Sequence, residues 1–328
     1  MTSPEELVEW RAPLLVQAVN AVGLGDLLAQ RPLTATEIGE RTGWRPDLAT
    51  RVLRALVPRG LFRCDDQGRW HLTDVGQVLR SDHPASVAGA RLSGFEVGGW
   101  TRMLQTLRSG QPSFELTFDT TFWDWLAEHP DDRSAFDQKM RGRLHLALEL
   151  VDEYPWPGTG RLVDVGGGTG TLLTRVLALR PGLAGVLFDV PETIATAEAV
   201  VRASGTADRC DLVAGSFFEA VPKGGDIYLL SQILHDWPDE DAVRILTRVH
   251  EAMEPGGRLL LLEGVVPDDP ADTSLGLLDV HMLAMFGSGE RDRQQWKTLL
   301  DRAGFRLDDV VPGPYVSWVE ASPRAGAA

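Results

Sequence analysis

Five short apolar runs separated by amphipathic segments limit the possible folds of this chain more than any other feature. The runs lie at positions 162–165, 185–188, 212–214, 227–230 and 259–262. Each has the length of a buried β-strand, and the segments between them are long enough to form helices. Strands that alternate with helices in this way build a parallel sheet with helices on both faces. The sequence therefore predicts an α/β domain over residues 156–328.

The length of the chain calls for more than this one domain. A single hydrophobic core seldom serves 328 residues, so we expect at least two domains. The first is predicted over residues 1–95 and is mainly helical: Thr34 opens a short helix that ends near Gly43, and a second helix covers residues 47–59. Residues 61–72 follow as strand, turn and strand. Two helices and a hairpin in this order predict a winged helix.

A winged helix suggests DNA binding, and four arginines accompany the second helix: Arg45, Arg51, Arg54 and Arg59. The whole chain, however, has 47 acidic and 32 basic residues and a net charge of −15. A protein that binds duplex DNA needs cationic surface to displace the condensed counterions. We therefore expect the arginines to lie on a solvated helix face, and we predict no nucleic-acid partner.

Composition also bears on the cellular setting. No stretch approaches the roughly 20 apolar residues of a membrane span, so no membrane partner is expected. The acidic start MTSPEELVEW lacks the basic segment of a signal peptide. The two cysteines, Cys64 and Cys210, are far apart, which excludes a disulfide framework and a zinc site of clustered cysteines. These features predict a cytoplasmic protein.

Residues 96–155 form a third region, predicted to be a helical linker and substrate lid. Seven aromatic residues fall between positions 95 and 125: Phe95, Trp100, Phe114, Phe118, Phe122, Trp123 and Trp125. They can form a helical core between domains, or they can line a pocket for an aromatic ligand, because pockets are lined mainly by apolar and aromatic groups. The sequence leaves both interpretations open.

A glycine-rich loop follows the first strand of the α/β domain. Gly166, Gly168 and Gly170 stand in the order G-x-G-x-G, two residues after Asp164. Glycines allow the backbone to approach a ligand closely and to adopt positive φ. The dinucleotide fingerprint is G-x-G-x-x-G instead, with amide groups aimed at a pyrophosphate. The observed spacing favours a loop that surrounds an uncharged adenosine and a methionine tail.

Two later strand ends offer further contacts for an adenosine cofactor. The second strand ends at Asp189, where a carboxylate can accept hydrogen bonds from both ribose hydroxyls. After the third strand come Gly215, Ser216 and Phe217, followed by another phenylalanine. An aromatic ring there can stack on adenine while the serine bonds the edge of the base. These positions predict cofactor contacts at the second and third strands.

The fourth strand leads into the segment that we expect to carry the chemistry. In a doubly wound sheet the first and fourth strands flank the crevice where ligands bind, which places His235 at that crevice. An imidazole can accept a proton from an attacking hydroxyl, which is general base catalysis. Such a base works better beside a carboxylate, and Glu263 at the end of the fifth strand and Glu290 on a later glycine-rich loop are candidates.

Together these segments resemble the S-adenosylmethionine-dependent small-molecule O-methyltransferases, a family that includes the caffeic acid enzymes of plants. The resemblance is strongest to actinobacterial members of antibiotic and aromatic polyketide biosynthesis. It rests on LVDVGGGTGTLL at 162–173, LFDVPE at 187–192, AGSFFEAVP at 214–222, LSQILHDWPDEDAVRIL at 230–246 and LLDVHMLAMFGSGER at 277–291. It implies a Rossmann-like methyltransferase domain, a winged-helix domain that serves dimerisation, and a homodimer.

The resemblance also implies roles for individual residues. His235 corresponds to the general base, with Glu263 and Glu290 as its flanking carboxylates. The implied cofactor contacts are Gly166, Gly168, Asp189, Gly215, Ser216, Phe217 and Ser231. The implied substrate contacts are Met140, His281 and Met282. The predicted reaction is methyl transfer from S-adenosyl-L-methionine to a hydroxyl, most simply a phenol, of a small aromatic substrate.

Some alternatives stay open at this point. Position 216 is often aspartate in the family and is serine here, but a serine can still bond the adenine edge. A histidine base also serves nitrogen acceptors, so a C- or N-methyltransferase remains an alternative, and an NAD-dependent dehydrogenase a weaker one. His235 and His281 lack a third ligand nearby in the sequence, so we predict no metal site.

Overall fold

The computed structural model describes residues 9–89, 93–143, 145–254, 256–269 and 274–324. The acidic segment before residue 9 and the Ala-Gly tail at 325–328 therefore lie outside the described residues. The chain divides into two compact units, Met1–Gly94 and Phe95–Ala328. Each unit has its own hydrophobic core.

The described residues of the N-terminal unit form four α-helices and a small antiparallel sheet. Its elements are α1 (Arg11–Ala21), α2 (Leu24–Gln30), β1 (Leu33–Thr34), α3 (Ala35–Thr42), α4 (Pro46–Leu56), β2 (Phe62–Cys64) and β3 (Arg69–Leu72). The hairpin β2–β3 lies where the sequence predicted it, and β1 adds a third strand against β3. This two-residue strand was not predicted because it is too short to show an alternating pattern.

The ends of the two winged-helix helices follow from local chemistry. Thr34 and Glu37 form a reciprocal capping box at the start of α3, and Gly43 ends that helix in the left-handed conformation. The second helix was predicted to reach residue 59, but α4 ends at Leu56 and a 3₁₀ turn covers Val57–Arg59. The reason is Pro58, which has no N–H to donate to the carbonyl four residues earlier.

The C-terminal unit is an α/β domain with a largely helical first part. Its helices are α5 (Gly94–Gly98), α6 (Met103–Ser109), α7 (Ser113–Phe118), α8 (Phe122–Glu128), α9 (Pro130–Arg143), α10 (His145–Glu153), α11 (Thr171–Leu179), α12 (Pro191–Ala203), α13 (Asp239–Ala252), α14 (Gly276–Phe286) and α15 (Arg293–Arg302). Its strands are β4 (Gly160–Val165), β5 (Leu183–Asp189), β6 (Cys210–Ala214), β7 (Ile227–Ser231), β8 (Arg258–Glu263), β9 (Val265–Val266), β10 (Arg291–Asp292), β11 (Phe305–Val311) and β12 (Ser317–Pro323).

Seven strands form one sheet in the order β11-β12-β8-β7-β4-β5-β6. The five apolar runs are the five parallel strands of this sheet, so the predicted Rossmann-like class is confirmed. The first of them, β4, lies between β5 and β7, and the order of the strands reverses there. Ligands of doubly wound folds bind at this switch point, beyond the carboxyl ends of the strands. The two added strands at one edge, β12 and β11, run antiparallel to their neighbours.

Burial fixes the central strands in place. The four leucines of β8, Leu259 to Leu262, are fully buried, and each stabilises the fold by roughly 1.5–3 kcal/mol relative to an exposed side chain. Their side chains alternate between the two faces of the sheet, so they contribute to two separate hydrophobic clusters. The strand therefore holds its last residue, Glu263, at a defined place beside the switch point.

The aromatic residues of the helical region pack mainly against each other. Phe95, Phe114 and Phe122 are buried with Leu126 and Met285, and further aromatic rings surround them. Trp100 lies apart from this cluster and stacks on His281. The helical-core interpretation thus describes most of the set, including Trp123, which packs against the same cluster.

Within the described ranges, no single helix is long and apolar enough to cross a membrane. The bent pair α1–α2 meets the same length and composition criteria only when its two helices are taken together.

Candidate active site

The glycine-rich loop turns sharply at the carboxyl end of β4. Gly166 and Gly168 have φ values of 72° and 59°, which side chains other than glycine rarely adopt. A Cβ atom on Gly166 would lie 2.6 Å from Cδ1 of Ile233 and 3.7 Å from Cε1 of Phe217. The loop therefore lies directly against the segments that follow β6 and β7. On the side where Gly168 would carry a Cβ, no described atom lies within 4 Å.

Two acidic side chains stand beneath and beside this loop. Asp189 at the end of β5 accepts a hydrogen bond from the Gly168 amide at 2.9 Å and one from the Val190 amide at 2.7 Å. Asp164 is 1% exposed, and neither of its carboxylate oxygens has a hydrogen-bond partner among the described residues. Burial, helped by the charge of Asp189, raises the pKa of Asp164 to about 7. Burial also raises the pKa of Asp189.

The segment after β6 supplies the next face of the site. The Gly215 amide bonds the carbonyl of Asp189, and a Cβ at position 215 would approach the Phe188 ring to 2.7 Å. Ser216 accepts a hydrogen bond from the Phe218 amide. Of the two adjacent phenylalanines, Phe217 is the one whose ring contacts the glycine loop at Gly166.

A strained turn connects β7 to the predicted base. Ser231 ends the strand, and Gln232 then adopts a φ of 54°, an uncommon value for a residue with a side chain. Such strain is maintained only where the surrounding structure demands it, and it clusters at functional sites. A 3₁₀ turn of Leu234–Asp236 follows and buries His235, which is 7% exposed.

Three carboxylates surround the imidazole of His235. Oε1 of Glu290 lies 2.9 Å from Nδ1, within hydrogen-bond distance, and Oε2 of Glu263 lies 3.8 Å from the same nitrogen. Oδ1 of Asp236 lies 3.4 Å from the other ring nitrogen, Nε2. Glu263 also uses its Oε1 to accept the amides of Ile233 and Leu234. The structure thus brings together the histidine and both predicted glutamates, and it adds Asp236, which was not predicted.

The charges of these groups set their proton affinities. Burial on its own would lower the pKa of His235, but the negative charges of Asp236, Glu263 and Glu290 outweigh burial and raise the pKa to about 10. Burial raises the pKa of Glu263 and raises that of Asp236 to about 7, and in both cases the charge of His235 opposes the effect. The cluster therefore stabilises the protonated imidazole.

A short parallel ladder explains why the two glutamates meet. Strands β9 and β10 pair Val265 with Arg291, and Glu263 and Glu290 stand just before these strands. Gly264 lies between them, and a Cβ there would come within 2.2 Å of Oε2 of Glu290. The glycine therefore allows Glu290 to approach β8. The amide of Glu290 is in turn held by Oδ1 of Asp279 on α14, at 2.9 Å.

Arg291 and Ser288 hold the turn that carries His235, and neither was predicted as a site residue. The guanidinium of Arg291, on a residue 4% exposed, donates to the carbonyls of Leu234 at 2.8 Å and Trp237 at 2.9 Å. The hydroxyl of Ser288 donates to the carbonyl of His235 at 2.5 Å. The position of Arg291 next to Glu290 could have indicated its role, because the planar guanidinium can donate to two carbonyls of one turn.

We expect Arg291→Lys to lower kcat more than it changes the KM for the cofactor. A lysine ammonium cannot reproduce the fork, so the His235 turn loses one of its two carbonyl contacts, and a hydrogen bond to a charged group is worth ~1.5–3 kcal/mol. The free energy of unfolding should fall by a similar amount, measured by urea denaturation. Arg248→Lys, on an exposed ion pair of α13, is the matched control. Equal kcat in the two variants would contradict a positioning role for Arg291.

The predicted substrate contacts lie on two helices. Met140 is half-buried on α9, and Met282 is buried on α14. His281 accepts a hydrogen bond at Nδ1 from the Trp100 indole, 3.3 Å away. Among the described residues, no cluster of three or more histidine, cysteine, aspartate or glutamate side chains has the arrangement of a metal site.

The residues at the glycine loop fit S-adenosylmethionine better than a dinucleotide. The unpartnered oxygens of Asp164 lie directly under the loop, where a Cβ on Gly167 would approach Oδ2 to 2.5 Å. Buried carboxylates there disfavour a pyrophosphate and favour the cationic groups of a sulfonium amino acid. Asp189 keeps the position that suits ribose hydroxyls.

Comparisons with known proteins agree with this geometry. A family model described as an O-methyltransferase domain matches residues 100–306, and one described as an O-methyltransferase dimerisation domain matches residues 10–82. The mitomycin biosynthesis 6-O-methyltransferase of Streptomyces lavendulae is 35% identical over 311 residues, which cover 92% of this chain and 88% of the relative. The 8-amino-8-demethylriboflavin N,N-dimethyltransferase of Streptomyces davaonensis is 32% identical, covering 97% of this chain and 94% of the relative.

Solved structures give the same result. The crystal structure of an O-methyltransferase from neocarzinostatin biosynthesis, in complex with S-adenosyl-L-homocysteine and 1,4-dihydroxy-2-naphthoic acid, matches with a TM-score of 0.88 and 34% identity. The match covers 98% of this chain and 99% of that one. Another structure of the same enzyme contains S-adenosylmethionine and matches with a TM-score of 0.87.

Proposed function

Because the chain belongs to the family of S-adenosylmethionine-dependent O-methyltransferases, we propose that it methylates a phenolic hydroxyl of a small aromatic natural product, with His235 as general base. The observation that carries the proposal is the buried contact between His235 and Glu290 at the switch point of the sheet. In support, Glu290 gives the imidazole a carboxylate partner, and Ile233, two residues before His235, packs against the glycine loop at Gly166.

We assign the cofactor to the carboxyl ends of β4, β5, β6 and β7. When bound, S-adenosylmethionine supplies an electrophilic methyl group on a sulfonium. Asp189 would accept hydrogen bonds from the ribose, and Ser216 and Phe217 would contact the adenine. The methionine part of the cofactor would face Gly166, Gly168 and Ser231. Gly215 has no side chain and would let the backbone lie close to the adenine. The cationic methionine end of the cofactor would stabilise an ionised Asp164 and so oppose the burial that raises its pKa to about 7.

The proposed role of His235 is to accept the acceptor's proton at Nε2. With Glu290 ionised, Nδ1 carries the proton of the neutral ring and donates it to Oε1 of Glu290, which leaves the lone pair on Nε2. After transfer, the new N–H at Nε2 faces the carboxylate of Asp236, 3.4 Å away. Negative groups thus stand on both sides of the imidazolium and stabilise it.

This arrangement addresses the main energetic obstacle of the reaction. A phenol has a pKa near ~10 and a free imidazole near ~6.5, a gap of roughly 3.5 units or about 5 kcal/mol. The raised pKa of His235, about 10, closes most of that gap. The cost is that the free base is scarce at neutral pH, so the reaction should become faster as the pH rises.

The acceptor is proposed to be aromatic because two relatives are named for hydroxylated aromatic acids, a dihydroxynaphthoate and an amino-hydroxybenzoate. Met140, His281 and Met282 would contact it. The test is incubation with methyl-labelled cofactor and a set of naphthols and hydroxyquinolines, followed by identification of the product by NMR. A labelled methyl ether supports the proposal. A labelled N-methyl product from an amine, with no ether from any phenol, would instead favour the activity of the riboflavin-analogue relative.

Asp189→Ala is expected to weaken S-adenosylmethionine binding about ten- to a hundredfold. The variant loses hydrogen bonds to a charged acceptor, worth ~1.5–3 kcal/mol. Wild-type binding should also weaken as the pH falls, because the raised pKa of Asp189 means that the carboxylate is protonated sooner. Calorimetry measures both effects. Asp211→Ala, at an exposed position on the neighbouring strand β6, is the control, and equal affinities in the two variants would remove Asp189 from the site.

We also propose that the protein is a homodimer formed through residues 1–95. The dimerisation-domain match over residues 10–82 supports this, and closed two-fold assemblies are the commonest oligomers. Light scattering at micromolar concentration should give twice the chain mass of 35.9 kDa. A monomeric mass would refute the assembly without bearing on the chemistry.

A further inference from the structure

Trp123 carries the only obligate N–H donor that is buried without a partner among the described side chains. The other unpartnered buried atoms are carboxylate or amide oxygens, and one ring nitrogen of His250, which can act as an acceptor. Five other tryptophans donate their indole N–H to a protein acceptor: Trp100, Trp125, Trp156, Trp296 and Trp318. Because a buried, unpaired donor destabilises a protein, the exception needs a reason.

The ring of Trp123 belongs to a stack of three aromatic side chains. It lies nearly parallel to Trp237, with centroids 6.1 Å apart, and nearly parallel to Phe286, with centroids 5.6 Å apart. Phe122 and Phe136 meet its edge at 90° and 86°. Packing on the faces and edges therefore fixes the indole plane and the direction in which its N–H points.

The stack joins the elements that surround the proposed acceptor. Trp237 lies two residues after His235. Phe286 is one helical turn after Met282 on α14, and Phe136, at the edge of the stack, is one turn before Met140 on α9. Residues four apart on a helix share a face, so these rings lie on the same helix faces as the two methionines. The indole thus packs among residues that stand close to the proposed base and on the helix faces of two proposed substrate contacts.

We propose that Trp123 determines acceptor specificity by donating a hydrogen bond from Nε1 to a neutral acceptor atom on the aromatic substrate, a ring nitrogen or a carbonyl oxygen. The inference rests on the proposed function and names its substrate class: planar phenols that carry such an atom. A neutral atom is favoured over a carboxylate because Asp236, Glu263 and Glu290 already place three acids around one imidazole. Substrates that lack the atom would leave the donor unpaired, and a site built to bond a polar group rejects such analogues.

The first test compares 2-naphthol with 6- and 7-hydroxyquinoline, in which a ring nitrogen replaces one CH group. Wild type should prefer at least one hydroxyquinoline in kcat/KM. Trp123→Phe keeps the stack and removes the donor, and it should reduce that preference roughly ten- to a hundredfold. The loss should be larger for the hydroxyquinoline than for 2-naphthol, because 2-naphthol offers the indole no acceptor atom. Comparing the ratio of the two substrates cancels their different intrinsic acidities.

Trp125→Phe is the matched control. Trp125 lies on the same helix, but its N–H is already bonded to Asp132 at 2.9 Å. This variant removes an indole donor that serves the protein itself, so it should keep the wild-type preference. An equal loss of preference in both variants would overturn the proposal.

The second test does not depend on turnover. In wild type labelled with ¹⁵N at the indole nitrogens and saturated with S-adenosyl-L-homocysteine, the Trp123 proton signal should move downfield when the preferred hydroxyquinoline binds, and not when 2-naphthol binds. The signal is assigned by its loss in Trp123→Phe. An unmoved signal at saturation, or equal preference in wild type and Trp123→Phe, would refute the role of Trp123. Wild type that methylates none of the three phenols would instead refute the proposed function.

Discussion

Replacing His235 with alanine is expected to lower kcat for methyl transfer by about 10²–10⁴-fold, the usual contribution of a placed general base. Cofactor affinity should hardly change, because the proposed cofactor contacts come from other residues. The rate that remains should rise with pH up to the pKa of the phenol, since solvent then supplies the phenolate. Single-turnover kinetics with labelled cofactor, together with calorimetry, separates the two effects.

His250→Gln provides the matched control for this variant. His250 is half-buried at the end of α13 in the same unit, where it packs on Phe305 and lies outside the cluster around His235. Its replacement should leave turnover unchanged. Wild-type turnover in His235→Ala would remove the base assignment altogether, whereas loss of cofactor binding in that variant would show that the turn supports the cofactor instead.

The second large effect is expected for Glu290→Gln, in both the size and the pH dependence of the rate. In wild type, kcat/KM should rise with pH through the neutral and alkaline range, because the imidazole must lose its proton before it can act as a base. Glutamine removes a negative charge and a charged hydrogen bond that raise the pKa of His235. That pKa should therefore fall, and the rising part of the profile should move to lower pH.

The plateau value of kcat/KM at high pH should fall, even though the rising part of the profile moves to lower pH. Without Glu290 the imidazolium is less stabilised and the neutral ring is less firmly held in the required tautomer, so the plateau should fall about 10²–10³-fold. Glu263, 3.8 Å from the same nitrogen, remains and limits the loss. Glu251→Gln, an exposed position on α13, removes the same charge elsewhere and should leave the profile in place. A Glu290→Gln profile with an unshifted rising part would contradict the electrostatic account.

The parts of the structure that could be predicted from sequence are those governed by local patterns. The central strands are buried on both faces and so appear as continuous apolar runs. Thr34, Glu37 and Gly43 bound their helix through contacts made within a few residues. Strand β11 has no such pattern, because at the edge of the sheet it carries acidic residues among its apolar ones.

The positions of some proposed site residues were predictable because they end a strand, as Asp189 and Glu263 do, or follow one closely, as His235 does. Asp236, Arg291 and Ser288 escaped notice because their importance arises from contacts over more than 50 residues, or from the shape of a turn. The unpaired indole N–H of Trp123 could not be predicted from the sequence either. Its sequence context shows only an aromatic helix, and whether a donor has a partner depends on the packing of four separate elements.

The hydrogen bond from the Glu290 amide to Asp279 connects helix α14, which carries proposed substrate contacts, to the carboxylate partner of His235. Helix α14 carries Asp279 together with Met282, so enlarging the pocket from this helix would disturb the carboxylate that holds His235. Helix α8 has no such link to Glu290 among the described hydrogen bonds. Directed evolution of new acceptor preferences should therefore yield active variants more often from libraries at α8 than from libraries of equal size at α14.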